Sequence, residues 1–266
     1  MDLSGKTALV TGSVQGIGFE IARAFAGAGA AIAVHGLADA VQAEAACAEL
    51  IAAGAPEAKF FGHDLSDPAA ASALVGAALE WRAIDILVNN AGIQHTAPIA
   101  EMPLETFQKI LSINLTAAFA TMQVALPKMA ERGYGRVINI ASVHGLVASL
   151  HKAPYVASKF GLVGMSRVAA LEYATAGSRE SGGVTVNCIC PGWTETAILE
   201  PQISARAALH DGDRAAAITD LLSEKQPTRR ISDAGEVGAL ALWLCSPIAH
   251  NLTGTAIPVD GGWTAQ

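Results

Sequence analysis

Residues 11–18 read Thr11-Gly12-Ser13-Val14-Gln15-Gly16-Ile17-Gly18, directly after the apolar run Thr7–Val10 and at the start of a helical stretch, Ile17–Ala28. Strand, glycine turn and helix in that order open a βαβ unit. Glycines there allow a tight turn and let backbone N–H groups approach a pyrophosphate at the helix N-terminus. A glycine turn alone is weak evidence; its place after the first strand gives it weight. Thr11, Gly12, Gly16, Ile17 and Gly18 are the candidate cofactor contacts of this turn.

The same alternation continues outward along the chain. Strand-like runs are Thr7–Val10, Ala31–His35, Lys59–Gly62, Ile84–Asn89, Arg136–Ala141, Val184–Cys190 and Thr255–Val259. Several are nearly continuous in Val, Ile and Leu, as parallel strands buried on both faces require. Between them lie helical stretches at Ile17–Ala28, Ala38–Ala53, Pro68–Glu80, Leu104–Arg132, Tyr155–Ala176 and Asp233–Ser246. The expected fold is α/β: a single Rossmann-type, doubly wound domain over residues 1–266, its seven-stranded parallel sheet flanked by helices on both faces. No linker or repeat divides it. Residues 177–183 (GSRESGG) read as a polar surface loop. Residues 194–224 break the alternation and form a candidate substrate lid.

Composition narrows the function. Hydrophobic residues make up 52% of the 266 and charged residues 15%, which excludes a disordered chain. The net charge is −7 with no basic stripe, which argues against a nucleic-acid partner. An anionic substrate would need a local cation in its pocket. The cysteines, Cys47, Cys188, Cys190 and Cys245, form no C-x-x-C pair and read as small buried hydrophobes in a reducing compartment. There is no signal-peptide pattern, and no run of about 18 apolar residues to span a membrane. A cytoplasmic protein without a membrane partner is expected. No His/Cys/carboxylate cluster has metal-ligand spacing, so no metal is expected.

The end of the second strand bears on the cofactor. An NAD site often places an acidic residue there for the ribose hydroxyls, and an NADP site places Arg or Lys there for the 2′-phosphate. Here the place reads His35-Gly36-Leu37, with Asp39 slightly beyond, and no Lys or Arg occurs between Arg23 and Lys59. NAD is the reading, because an uncompensated buried phosphate is costly. Gly36 and Leu37 are candidate contacts, and His35 reads as packing. Asp64-Leu65 follows the third strand, where Asp64 either accepts from an adenine amino group or belongs to a helix N-cap region leading to Pro68. In Asn89-Asn90-Ala91-Gly92, small residues let the backbone pass beside the cofactor, which adds Asn90, Ala91 and Gly92.

Tyr155 and Lys159 lie four apart on one helical face. A cation beside a phenol stabilises the phenolate and makes tyrosine a usable general base. Ser142 ends the preceding strand, where its hydroxyl can hold a substrate oxygen. Tyr-x-x-x-Lys alone is a common chance match. The combination is far more specific: Thr11-Gly12-x-x-x-Gly16-x-Gly18, Asn89-Asn90-Ala91-Gly92, Asn114, Ser142, Tyr155-x-x-x-Lys159 and Pro191-Gly192, in order. It resembles the short-chain dehydrogenase/reductase family over essentially the whole chain.

That resemblance implies a hydride transfer between a nicotinamide cofactor and a secondary alcohol or ketone. It implies that Tyr155 removes the hydroxyl proton, that Lys159 binds the nicotinamide ribose and depresses the tyrosine pKa, and that Ser142 orients the substrate oxygen. It implies that Asn114 kinks its helix and holds a proton-relaying water, and that Pro191, Gly192 and Thr196 border the nicotinamide. A homotetramer is implied too, with the helices Leu104–Arg132 and Tyr155–Ala176 at one interface.

Within the family, five segments resemble the bacterial D-3-hydroxybutyrate dehydrogenases: NNAGIQHTAP (89–98), IASVHGLVAS (140–149), CPGW (190–193), LSEKQP (222–227) and DGGWTAQ (260–266). That group holds a substrate carboxylate with polar side chains, and the matching positions are Gln94, His144, Lys152 and Gln202. Trp193 and Trp263 would wall a short acyl chain. Together these imply NAD-dependent oxidation of (R)-3-hydroxybutyrate to acetoacetate. The bland alternatives are a solvated Lys152, a loop His144, a Gln94 that serves only the backbone and a Trp263 at a subunit contact.

Several positions depart from that group. Glu195 stands where a basic residue is more usual, Pro201 where lysine is, and Thr228-Arg229-Arg230 looks like the wider family. Another secondary alcohol or ketone (a sugar, a cyclic alcohol, a 3-oxoacyl substrate) therefore stands as the alternative. A non-catalytic scaffold is disfavoured by the retention of Tyr155 and Lys159.

Overall fold

Val, Ile and Leu dominate the short runs, and each run pairs on both edges or closes an edge of one sheet. In the computed structural model, which describes residues 1–197 and 199–265, seven strands hydrogen-bond in parallel. They are β1 (Thr7–Val10), β2 (Ala31–His35), β3 (Ala58–Phe61), β4 (Ile86–Asn89), β5 (Tyr134–Ile140), β6 (Gly183–Pro191) and β7 (Ala256–Val259), in the order β3-β2-β1-β4-β5-β6-β7. Central β1 and β4 are buried at every position, which is why they carry no alternation. The Rossmann-type sheet expected from the sequence is therefore present. Ile198, in the candidate lid, and Gln266, at the end of the last quoted segment, lie outside the described residues.

Two apolar layers sandwich the sheet. On one face α1 (Gly16–Gly27) packs on α9 (Ala234–Leu244), burying Ile21 and Phe25 with Val237 and Leu244. On the other, α3 (Pro68–Trp81) packs on α5 (Ala117–Arg132), burying Leu74 and Val75 with Ala125 and Met129. Helix α2 (Ala40–Ala52) begins at a capping box in which Asp39 accepts from the Gln42 N–H at 2.8 Å. Asp39 is thereby committed to a helix start.

The stretch Leu104–Arg132 is helical throughout but not uniformly so. Between α4 (Leu104–Leu111) and α5 a π-helical turn spans Ser112–Thr116 and contains Asn114. By length and composition this run is apolar enough to cross a membrane, but half of its most apolar window is buried, with α5 against α3 and α4 against α6 (Ala153–Glu172). Pro154 sits in the first turn of α6, where its missing N–H costs no helical bond.

Residues 194–224 contain two short helices the sequence did not reveal, α7 (Glu200–Ala207) and α8 (Arg214–Lys225). They share a small core of Leu199, Ile203, Ala217 and Leu221. Arg206 meets Asp220 at 2.6 Å, and Arg214 meets Glu200 at 2.8 Å and Glu195 at 3.2 Å. The unusual Glu195 is thus matched by a partner in the same segment.

Candidate active site

The strand order reverses between β1 and β4: the chain leaves β1 toward β2 and leaves β4 toward β5. Crossovers on opposite sides leave a crevice beyond the carboxyl ends of those strands. A cleft of about 420 Å³ lies there, from Gly36, Leu37 and Asp64 at one end to Lys152, Gln202 and Trp263 at the other.

The glycine turn forms its floor. Gly12 and Gly16 have φ of +64° and +60°, which side chains with a Cβ rarely adopt. A Cβ on Gly18 would stand 2.2 Å from the Gly12 carbonyl oxygen, so helix α1 seats directly on that peptide. Thr11 and Gly18 do not line the cleft; they work from behind it. The Thr11 hydroxyl accepts from the N–H groups of Asn90 at 2.9 Å and Ala91 at 3.0 Å, joining the β1 and β4 loops. Gly16, Ile17, Asn90, Ala91 and Gly92 line the cleft, as expected. So do Gln15 and the apolar Val14, Ile93 and Ile113, which the motifs do not single out because no residue type is required at those positions.

At the far end, Gly36, Leu37 and Leu65 face the cleft, and no Lys or Arg among the described residues does so there. One oxygen of Asp64 accepts from the Ser66 N–H at 2.9 Å, and that bond, first among several causes, holds its carboxyl below the usual range. His35 is not simple packing: its ring reaches both the glycine turn and the loop after β3.

At the catalytic end, α6 places Tyr155 and Lys159 on one face, and both reach the cleft with Ser142 from the end of β5. Lys159 Nζ lies 5.6 Å from the centre of the Tyr155 ring and donates to the Ile140 carbonyl at 2.7 Å. Burial pushes the Lys159 ammonium down to about 8. The expectation of a depressed tyrosine needs correction. Burial of Tyr155 dominates and pushes its phenol above the ordinary value, while the neighbouring Ser142 hydroxyl works in the opposite direction. The reason is geometric: the ammonium is directed to a backbone carbonyl rather than to the phenol oxygen.

Asn114 is buried in its π turn and does not line the cleft. Its amide donates to the Ile93 carbonyl at 2.9 Å, and its oxygen accepts from the Ile93 N–H at 2.9 Å. It also donates to the Ser158 hydroxyl at 3.3 Å, and Ser158 donates to the Tyr155 carbonyl at 2.7 Å. A void of about 10 Å³ lies between Asn114 and Lys159.

The polar set expected around the substrate converges as well. Lys152 is only 6% exposed, which rules out the solvated alternative. Its Nζ donates to Gln202 Oε1 at 3.2 Å, lies 5.2 Å from the Trp193 ring centre, and is pushed by burial down to about 8. His144 packs edge-on to Trp263 at 5.4 Å, and burial, followed by the nearby Lys152 charge, pushes it down to about 4. Trp193 and Trp263 meet at 5.4 Å, so Trp263 lines this pocket from within the chain. Gln94, Pro191, Gly192 and Thr196 complete the wall, and Thr194 and Leu199 join from the 194–224 segment. Among the described residues no group of His, Cys, Asp and Glu is arranged to hold a metal.

A cleft at the topological switch point, floored by a glycine turn and ending in Ser, Tyr and Lys, defines an oxidoreductase of the dinucleotide-binding α/β class. Known proteins agree. The family profile described as short chain dehydrogenase matches residues 6–207. A D-beta-hydroxybutyrate dehydrogenase of Cupriavidus necator is 46% identical over 266 residues, covering 99% of this chain and 100% of the relative. One of Rhizobium meliloti is 39% identical over 262 residues, covering 98% and 99%. The solved structure of a gluconate 5-dehydrogenase from Burkholderia cenocepacia in complex with NADP and tartrate superposes with a TM-score of 0.87 at 30% identity, covering 100% of this chain and 97% of that one. The chain belongs to the short-chain dehydrogenase/reductase family and is an oxidoreductase acting on a small molecule.

Proposed function

We propose that this chain oxidises (R)-3-hydroxybutyrate to acetoacetate with NAD. One observation carries the substrate: the ammonium of Lys152, buried at the catalytic end of the cleft, has no carboxylate within ion-pairing distance among the described residues. A buried cation without a counter-charge is costly unless a ligand supplies one. The substrate carboxylate does so, with Gln94 and Gln202 completing its hydrogen bonds, His144 bordering it, and Trp193 and Trp263 excluding water from the short chain. NAD fits the far end because no Lys or Arg among the described residues lines it to pair a 2′-phosphate.

When bound, NAD would supply the hydride acceptor. Tyr155 takes the hydroxyl proton as the carbon-bound hydrogen leaves with its electron pair. Ser142 holds the same oxygen from beside the phenol. Lys159 binds the nicotinamide ribose and adds positive charge behind Tyr155. The void beside Asn114 has about the volume of one water probe, which suits a proton exit from Lys159. Thr11, Gly12, Gly16, Ile17, Gly18, Asn90, Ala91 and Gly92 shape the pyrophosphate and ribose floor. Gly36, Leu37, Asp64 and Leu65 take the adenosine, and Pro191, Gly192 and Thr196 the nicotinamide. Residues 1–266 act as one domain, with 194–224 as the lid.

Side-by-side turnover decides the substrate. With NAD, kcat/KM for (R)-3-hydroxybutyrate is expected to exceed that for 2-butanol by about 10³-fold or more, because the neutral alcohol leaves Lys152 unpaired. Equal rates, or faster turnover with NADP, would refute the reading. A sugar acid is the second reading, since Lys152 would serve any carboxylate and the gluconate dehydrogenase relative binds tartrate; preferential oxidation of D-gluconate would establish it.

Phe119 on α5 with Phe160 and Leu171 on α6 leave apolar surface exposed on the two helices expected at a subunit interface. A homotetramer covers them. Light scattering is expected to return four times the chain mass, and a monomer mass would contradict it.

A further inference from the structure

We propose that the imidazole of His35 is a positioning residue for cofactor binding: it locks the glycine turn to the loop after β3, so that both walls of the adenosine half of the cleft are pre-set. This rests on the reading of the cleft as a nicotinamide dinucleotide site.

His35 is the last residue of β2 and is 3% exposed. Its Nδ1 accepts from the Gly12 N–H at 3.2 Å. An accepting Nδ1 carries no proton, so Nε2 must carry it, and Nε2 lies 2.9 Å from the His63 carbonyl, to which it donates. Only the neutral Nε2–H tautomer makes both bonds. A second proton on the ring would set a donor against the Gly12 N–H.

The backbone of the same residue completes the clamp. The Ser13 N–H donates to the His35 carbonyl at 2.7 Å. The His35 N–H donates to the Ser13 hydroxyl at 3.0 Å, which donates to the Val10 carbonyl at 2.7 Å. On the opposite side, the Asn90 amide donates to the Thr11 carbonyl at 2.9 Å and the Gly12 carbonyl at 3.0 Å. Both peptides flanking Gly12 are therefore held at each end, with His35 on their N–H side and Asn90 on their C=O side. Helix α1 rests on the Gly12 carbonyl through Gly18, so turning either peptide displaces the helix start that would face the pyrophosphate. The other arm fixes His63, which borders the cleft beside Asp64.

Three substitutions separate the two bonds. His35→Asn retains an acceptor near the Nδ1 position, His35→Gln reaches only toward His63, and His35→Leu keeps bulk without either bond. The dissociation constant for NAD is read by calorimetry, kcat at saturating cofactor by absorbance, and folding by thermal unfolding. His35→Leu and His35→Gln are expected to weaken NAD binding about tenfold, the worth of one buried hydrogen bond. His35→Asn should stay within about threefold of the native protein, with kcat unchanged in every variant that folds.

Native NAD affinity in His35→Gln, or in a folded His35→Leu, would overturn the role, whereas an Asn variant as weak as the Gln one would show that the bond to His63 counts equally. Should His35→Leu fail to fold, the Asn and Gln pair still decides. A native protein that binds no NAD would remove the cofactor reading itself, and this inference with it.

Discussion

Tyr155→Phe is expected to lower kcat by about 10³-fold, within the range removed with a general acid–base group, while NAD binds with native affinity. The substitution deletes one oxygen and leaves the ring that packs at 6.2 Å beside His144, so the cleft keeps its shape. No neighbouring group replaces the base. Ser142 is held for orientation, the Lys159 ammonium is directed to the Ile140 carbonyl, and His144 is pushed down to about 4 by burial and sits among aromatic rings. Burial raises the Tyr155 phenol, so its anion needs positive charge close by. Lys159, charged below about pH 8, and an oxidised nicotinamide ring would both provide it. Stopped-flow absorbance of NADH formation measures the loss. Retention of more than a tenth of native kcat would reject Tyr155 as the base.

Lys152→Ala is expected to raise KM for 3-hydroxybutyrate by about 30-fold or more, the lower end of the cost of removing one partner of a buried charge pair. Cofactor affinity should not move, because Lys152 lies at the opposite end of the cleft from Gly36 and Leu37. The pH dependence has a definite sign. Burial pushes the Lys152 ammonium down to about 8, so the charge is complete below that pH and lost as pH rises through it. KM for the acid therefore climbs more steeply above pH 8 in the native protein than in the Ala variant, where Lys159, also pushed down to about 8, still titrates. Among the groups facing it, His144 is pushed to about 4 and remains neutral from pH 6 upward, and Gln202 does not titrate, so neither masks the transition. Steady-state kinetics between pH 6 and 9 test this. A native-like KM in Lys152→Ala would transfer the carboxylate to other residues and remove the main support for a hydroxy-acid substrate.

Gly12, Gly16 and Gly18 were legible because a left-handed turn and a close backbone approach admit almost no other residue. Tyr155 and Lys159 were legible because their spacing is a property of one helix. His35 is buried, as its sequence position suggests, but its bonds are not legible there: its partners, Gly12 and His63, lie 23 and 28 residues away, and nothing local distinguishes a buried histidine that bonds from one that fills space. The direction of the Tyr155 shift was also missed: adjacency to Lys159 was visible, but burial and the turn of the ammonium toward Ile140 were not.

From the order of its residues alone, this chain determined a parallel α/β sheet, a glycine turn after the first strand, and a Ser, Tyr and Lys set near the end of the fifth. Those features rest on hydrophobic period and on the conformations glycine and proline allow, which act over a few residues. Only the tertiary structure decided that Lys152 is buried against Gln202, that Trp263 closes the same pocket from the far end of the chain, and that Glu200–Ala207 and Arg214–Lys225 fold as two salt-bridged helices. Charge, burial and pKa depend on which distant groups meet, and that is settled by packing rather than by sequence neighbours.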